Sequence, residues 1–292
     1  ALVVGARLDD AGSGSGQTNR GAVHIMFMNT DGSVDSTVEI NDNTSNGPNL
    51  KKNDNFGQSA ANIGDLNDDG VDDLVVGAPS DNGAAHPSPK NRGAVHIMFM
   101  NTNGSVDSTV EINSSTTNGP SLGNNDNFGK SVTSMGDLDG DGGTVKALAV
   151  GASTDETVHI IFMNTDGSVD STIEINSSTT NGPSLDNNDH FGESVENIGD
   201  LDGNGVNDLA VGEYNDDAGG EDRGAVHIMF MHESTQPTVT ITTSSGDCGD
   251  TVSSTTLSYT VTLSESVSDF TIDDITVTGT ANGGSPEASN FA

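Results

Sequence analysis

Two nine-residue segments place oxygen-bearing side chains at a spacing that suits a hard cation. Asp-Leu-Asn-Asp-Asp-Gly-Val-Asp-Asp spans 65–73, and Asp-Leu-Asp-Gly-Asn-Gly-Val-Asn-Asp spans 200–208. Carboxylates or amides stand at positions 1, 3, 5 and 9, with Gly at position 6. Calcium takes about six to eight oxygens at roughly 2.3–2.6 Å, and a tight Gly turn lets alternate side chains and one backbone carbonyl converge on it. The candidate ligands are Asp65, Asn67, Asp69, Asp73 and the Val71 carbonyl in one loop. In the other they are Asp200, Asp202, Asn204, Asp208 and the Val206 carbonyl. The plain alternative is an acidic, solvated turn, but composition alone would not set one register twice. An EF-hand fails, because position 12 is Val76 or Val211 where a bidentate Glu belongs, and the flanks read as strands.

A third loop departs from this pattern. Asp137, Asp139, Asp141 and Gly142 keep the spacing, but two residues are inserted before Leu148. Counted back from that strand, the ninth position is Ala147, so one carboxylate is lost. The expectation is two complete calcium sites and one weaker site.

The loops sit inside a repeat. Gly-Ala-Val-His-Ile-Met-Phe-Met begins at Gly21, Gly93 and Gly224, with the variant Thr-Val-His-Ile-Ile-Phe-Met at 157–163. Phe-Gly pairs start at Phe56, Phe128 and Phe191, and each Phe is followed nine residues later by an Asp that opens a loop. Leu-Val-Val-Gly-Ala stands at 2–6 and 74–78, with variants at 148–152 and 209–213. Self-similarity at a period of tens of residues signals stacked supersecondary units. The repeats are read as about 1–50, 51–122, 123–185 and 186–234.

Each repeat reads as β. The run at 94–100 is rich in β-branched and bulky apolar side chains, as a strand covered on both faces would be. Asn-Gly (103–104) and Asp-Gly (166–167) follow such runs and mark hairpins, since Gly and Asn tolerate positive φ. The returning strand, Thr-Val-Glu-Ile-Asn at 109–113, alternates apolar with polar residues. Roughly four short strands per repeat match a propeller blade.

Phe-Gly, a nine-residue acidic loop and Leu-Val-Val-Gly-Ala-Pro (74–79) together resemble the FG-GAP repeat of integrin α-subunit propellers and their microbial relatives. The resemblance covers about residues 1–234. It implies an all-β fold: three or four blades of a seven-bladed, calcium-binding propeller. Two departures stand out: the fourth repeat ends Gly-Glu at 212–213 where the family has Gly-Ala-Pro, and seven blades would be needed to close a ring. An open arc exposes sheet edges, so self-association is expected.

Composition limits the partners. Nine Lys and Arg stand against 44 Asp and Glu, a formal net charge of -35, which excludes electrostatic binding of nucleic acid or anionic membrane. The single cysteine, Cys248, excludes a disulfide framework. No apolar run reaches the roughly 18 residues of a membrane span. The chain begins Ala-Leu-Val-Val-Gly-Ala, which reads as the interior of a repeat in a longer protein.

From residue 235 the pattern changes. Val239, Ile241, Leu257, Tyr259, Val261 and Leu263 alternate with polar residues, as half-buried antiparallel strands do. With the Thr-rich run at 264–279, this region resembles a shortened bacterial immunoglobulin-like module over 235–292.

Other residues are read structurally. His24, His96, His159 and His227 occupy one position in four repeats, about a blade apart, so they cannot share a metal. Arg20, Arg92 and Arg223 close equivalent loops and are expected to pair with loop carboxylates. Gly-Ser-Gly-Ser-Gly (12–16) lacks the Lys of a phosphate loop, and no nucleophile elbow occurs.

The resulting expectation is a non-enzymatic, calcium-binding segment of an extracellular or cell-surface protein, serving adhesion or recognition of a protein or glycan. The competing readings are an accessory region of a secreted hydrolase or lyase, and a propeller lectin. The absence of Trp and the presence of only two Tyr weigh against the lectin.

Overall fold

The computed structural model describes residues 1–10, 18–83, 90–138, 146–186, 188–217, 219–220 and 222–232, and the backbone of 239–243 and 259–263. Among the described residues none is helical, so no helix is long and apolar enough to cross a membrane. The chain divides into two units, Ala1–Glu233 and Ser234–Ala292.

The first unit holds four antiparallel sheets in chain order. One contains β1 (Leu2–Ala6), β2 (Ala22–Met28) and β3 (Val34–Ile40). The next contains β4 (Ser59–Gly64), β5 (Asp73–Ala78), β6 (Ala94–Met100) and β7 (Val106–Ile112). The third contains β8 (Ser131–Gly136), β9 (Lys146–Ala152), β10 (Thr157–Met163) and β11 (Val169–Ile175). The last contains β12 (Ser194–Gly199), β13 (Asp208–Glu213) and β14 (Ala225–Met229). Each is an up-and-down meander whose hairpins lie between neighbouring strands, so only local pairing is needed to build it. In the second unit, β15 (Val239–Thr243) pairs antiparallel with β16 (Tyr259–Leu263). Leu257 and 264–292 lie outside the described residues, as do 12–16 and Cys248.

Strand composition follows burial. Every residue of β5 and β6 is buried, Asp73 and His96 included, while β7 buries its two ends and exposes Asp107 and Ser108. The hairpin after β6 turns on Gly104 at φ 81°, a conformation that an L side chain resists.

The cores lie between sheets. Ile97 and Val95 of β6 share a cluster with Val132, Leu148 and Val150 of the third sheet. Met135, Ala147 and Ile160 pack with Val195, Leu209 and Val211 of the last sheet, and Val23 and Ile25 pack with Leu74 and Val76. Phe56, Phe128 and Phe191 are fully buried, each contributing roughly 1.5–3 kcal/mol.

The close approach of neighbouring sheets explains the glycines. A Cβ on Gly5, Gly77 or Gly151 would overlap the carbonyl oxygen of Gly57, Gly129 or Gly192, respectively. The Gly of Leu-Val-Val-Gly-Ala therefore receives the Phe-Gly turn of the next repeat. At Gly212 the nearest atoms belong to Ser194 of its own sheet.

The histidines pack singly. His96, His159 and His227 meet Phe56, Phe128 and Phe191 edge-on, with ring centroids 5.4, 5.3 and 5.4 Å apart. His96 faces Asp81 at 3.4 Å, and His227 contacts Glu213. His159 is 1% exposed, and burial lowers its pKa from 6.5 to about 4. It stays neutral in the fold while the unfolded chain binds a proton near pH 6.5. The stability it contributes is therefore complete above pH 6.5 and is lost as pH falls towards 4, by roughly 3 kcal/mol. Urea titrations at pH 7 and pH 4.5 should show a smaller acid loss for His159→Gln than for the unaltered chain. Equal losses in the two proteins would refute this account.

The loop arginines differ from one another. Arg20 pairs with Asp42, as expected. Arg92 instead donates to the Leu122 carbonyl and the Asn124 side-chain oxygen, both at 3.3 Å. The repeat counterpart of Asp42 is Ser114, so the carboxylate that pairs with Arg20 is missing beside Arg92.

Candidate metal centres

Each acidic loop joins the first two strands of its sheet. The strand before it is interrupted by a register shift, between Asn62 and Gly64 in β4 and between Asn197 and Gly199 in β12. The side-chain oxygens of Asn62 and Asn197 accept from the backbone N–H groups of Gly64 and Gly199, at 2.6 and 2.8 Å. These bonds turn the chain out of the ladder and begin the loop.

Within the loops, the position-1 carboxylate organises the backbone. Asp65 accepts from Asp69 and Gly70, at 3.0 and 2.7 Å. Asp200 accepts from Gly203, Asn204 and Gly205, at 2.7, 3.0 and 2.9 Å. Those N–H groups, Gly205 first, hold the Asp200 carboxyl below its usual range. Positions 4 and 6 take positive φ in both loops: Asp68 at 60° and Gly70 at 89°, Gly203 at 81° and Gly205 at 95°. Position 7 is anchored from below, since Val206 is 2% exposed and Val71 packs against the core.

The ninth residue is fully buried. Asp73 accepts from Leu66 N–H at 3.0 Å and from Met100 N–H at 2.9 Å. Asp208 does the same for Leu201 at 2.8 Å and Met231 at 2.9 Å. It thus braces the loop against the end of the third strand. Burial pushes the Asp73 carboxyl upward, and the Met100 and Leu66 donors partly offset that rise.

In the third repeat, Ala147 stands opposite Gly136, the register place that Asp73 and Asp208 occupy opposite Gly64 and Gly199. There the insertion lengthens the strand: Lys146 pairs with Met163, so backbone pairing continues where a carboxylate braces the other repeats. Asp137 is described, whereas Asp139 and Asp141 lie outside the described residues.

The loops converge to different degrees. Carboxylate oxygens of Asp200, Asp202 and Asp208 lie within 4.8 Å of one another. Asp65, Asp69 and Asp73 are not among the described trios at that separation, and Asn67 donates to Asp69 at 3.0 Å. The donor sets are all oxygen, and the Asp200 loop brings three charged donors together, which suits a hard cation. Such an ion would supply charge neutralisation and a rigid tie across the loop.

A second trio, absent from the sequence reading, consists of Asp189, Glu213 and Asp216, again within 4.8 Å. Its legible signal was Glu213 itself, standing where the other repeats have Ala.

Four packed meanders, three of them with an acidic loop between the first two strands, define a β-propeller-like repeat array. Residues 56–98 and 191–229 match the FG-GAP repeat. The chain is similar to integrin alpha-5 of Xenopus laevis, at 32% identity over 166 residues, 54% of this chain and 15% of the integrin. It is similar to integrin alpha pat-2 of Caenorhabditis elegans, at 35% over 99 residues, 33% of this chain and 7% of the integrin. Integrin alpha-4 of Xenopus laevis is 30% identical over 156 residues, 53% of this chain and 14% of the integrin. The chain thus spans a small part of these relatives.

Proposed function

We infer that this chain is a calcium-binding blade array of an extracellular or cell-surface protein, serving adhesion or recognition of a protein or glycan. The observation that carries the reading is the repetition of one loop geometry at 65–73 and 200–208, on repeats similar to those of integrin α-subunits. Calcium would be held by Asp200, Asp202, Asn204, Asp208 and the Val206 carbonyl in one loop, and by Asp65, Asn67, Asp69, Asp73 and the Val71 carbonyl in the other. The Asp137 loop, without a ninth carboxylate, would hold it more weakly. No catalytic role is assigned, and the region 235–292 is read as an immunoglobulin-like module. The outer sheets carry exposed apolar residues, Leu2 at 49%, Val226 at 67% and Phe230 at 51%, and these faces favour self-association.

The test is to probe the immobilised chain against arrays of extracellular proteins and of glycans, with millimolar calcium and with chelator. A ligand retained in calcium and released by chelator is expected. Finding no calcium-dependent ligand on either array would sink the recognition role.

A further inference from the structure

We propose that Asp189, Glu213 and Asp216 form a second divalent-cation site in the last repeat, of a class suited to calcium. It lies at the far end of β13 from the Asp200 loop. The five residue steps from Asp208 to Glu213 separate the two by about 17 Å at roughly 3.3 Å per strand residue. No ion can bridge both, and the proposal stands independently of the loop sites.

Carboxylate oxygens of the three residues lie within 4.8 Å of one another, and Asp189 and Glu213 are 5% and 1% exposed. Backbone bonds set the cluster: Asn215 N–H donates to the Asp189 carbonyl at 3.2 Å, and Asp186 N–H to the Asp189 carboxylate at 3.0 Å. One Glu213 oxygen, Oε2, contacts Nε2 of His227. The other, Oε1, is buried without a hydrogen-bond partner. A buried carboxylate oxygen without a donor is costly, and two neighbouring carboxylates raise that cost. A cation seated among the three would relieve both.

The repeat shows that the third carboxylate is specific to this place. Asp54, Asp126 and Asp189 each stand two residues before the Phe of Phe-Gly. Asp81, Asp155 and Asp216 each follow the end of the second strand by three. Those strands end in Ala78, Ala152 and Glu213, which share one register position opposite Ala94, Thr157 and Ala225. In the second repeat, burial and then the Asp81 charge push the Asp54 carboxyl up to about 8. Two carboxylates there are accommodated by a proton and by His96. Among these three repeats, the last alone places a carboxylate at that strand-end position, with the oxygen donors a hard cation requires.

Tyr214 follows Glu213 and stacks on His190, with centroids 4.9 Å apart, which provides a local reporter. Terbium titrated into the full chain should give tyrosine-sensitised emission that calcium displaces and Tyr214→Phe abolishes. Asp200→Ala should leave that emission intact. Glu213→Ala should weaken it about tenfold or more, because affinity follows the number of charged ligands. Alanine occupies this register position in the other repeats, and Asp216→Asn repeats the measurement in a variant of unchanged shape. Unaltered terbium affinity in both variants would overturn the proposal. So would calorimetry counting no calcium beyond the sites lost in the Asp65→Ala, Asp200→Ala double variant; the cluster would then hold a proton instead.

Discussion

Chelation of the calcium-loaded chain is expected to lower its melting temperature by about 10–20 °C. A ligand present at about 100 times its Kd, bound only by the folded state, adds roughly 2.7 kcal/mol per site, or about 5 for the two complete loops. In a domain of about 150–250 residues, each kcal/mol moves the transition by roughly 2–4 °C. Extracellular calcium modules bind at about 10⁻⁴–10⁻³ M, so the loading step needs tens of millimolar calcium. Calorimetry with chelator, then with excess calcium, measures the effect. Calcium should restore the transition, while sodium at equal ionic strength should not. A melting curve indifferent to chelator would remove the calcium reading of both loops.

The second large effect separates the two jobs of the ninth residue. In chelator, Asp73→Ala should cost about 2–4 kcal/mol, because the buried N–H groups of Leu66 and Met100 both lose their acceptor. Asp65→Ala should cost less than about 1 kcal/mol in chelator, since its donors, Asp69 and Gly70, are exposed and can bond to water. In calcium, both variants should lose the added stability of that site. Urea unfolding of each variant under both conditions decides the point. Equal costs in chelator would show that Asp73 does not brace the strand ends. The third repeat argues for the brace: where Ala147 replaces the carboxylate, Lys146 extends the strand to pair with Met163.

Local pattern was legible without the fold. The apolar run at 94–100, the turn at Asn103-Gly104 and the alternation after it predict two adjoining strands, because the side-chain period of a strand is a property of the chain itself. The spacing of oxygen-bearing side chains in 65–73 and 200–208 was readable for the same reason: all of them come from one short loop. Even the loss at Ala147 showed in the count from Leu148, and its register opposite Gly136 agrees. The loop residues that converge were a matter for the structure, since Asn67 donates to Asp69 while Asp200, Asp202 and Asp208 draw together.

Tertiary structure alone decided what distant segments do to one another. The glycine of Leu-Val-Val-Gly-Ala reads as a weak point in a strand until Gly129 and Gly192 are seen against Gly77 and Gly151. Asp73 reads as a ligand, yet its oxygens also hold Met100, a residue 27 positions away. Asp189 and Asp216 carry no shared motif and meet only because the β12–β13 register brings their backbones together. The sequence by itself determined strands, turns and loop donors, since these depend on neighbours within a few residues. Which buried carboxylates face one another, and which oxygen among them lacks a donor, depends on pairing and burial that no local period encodes.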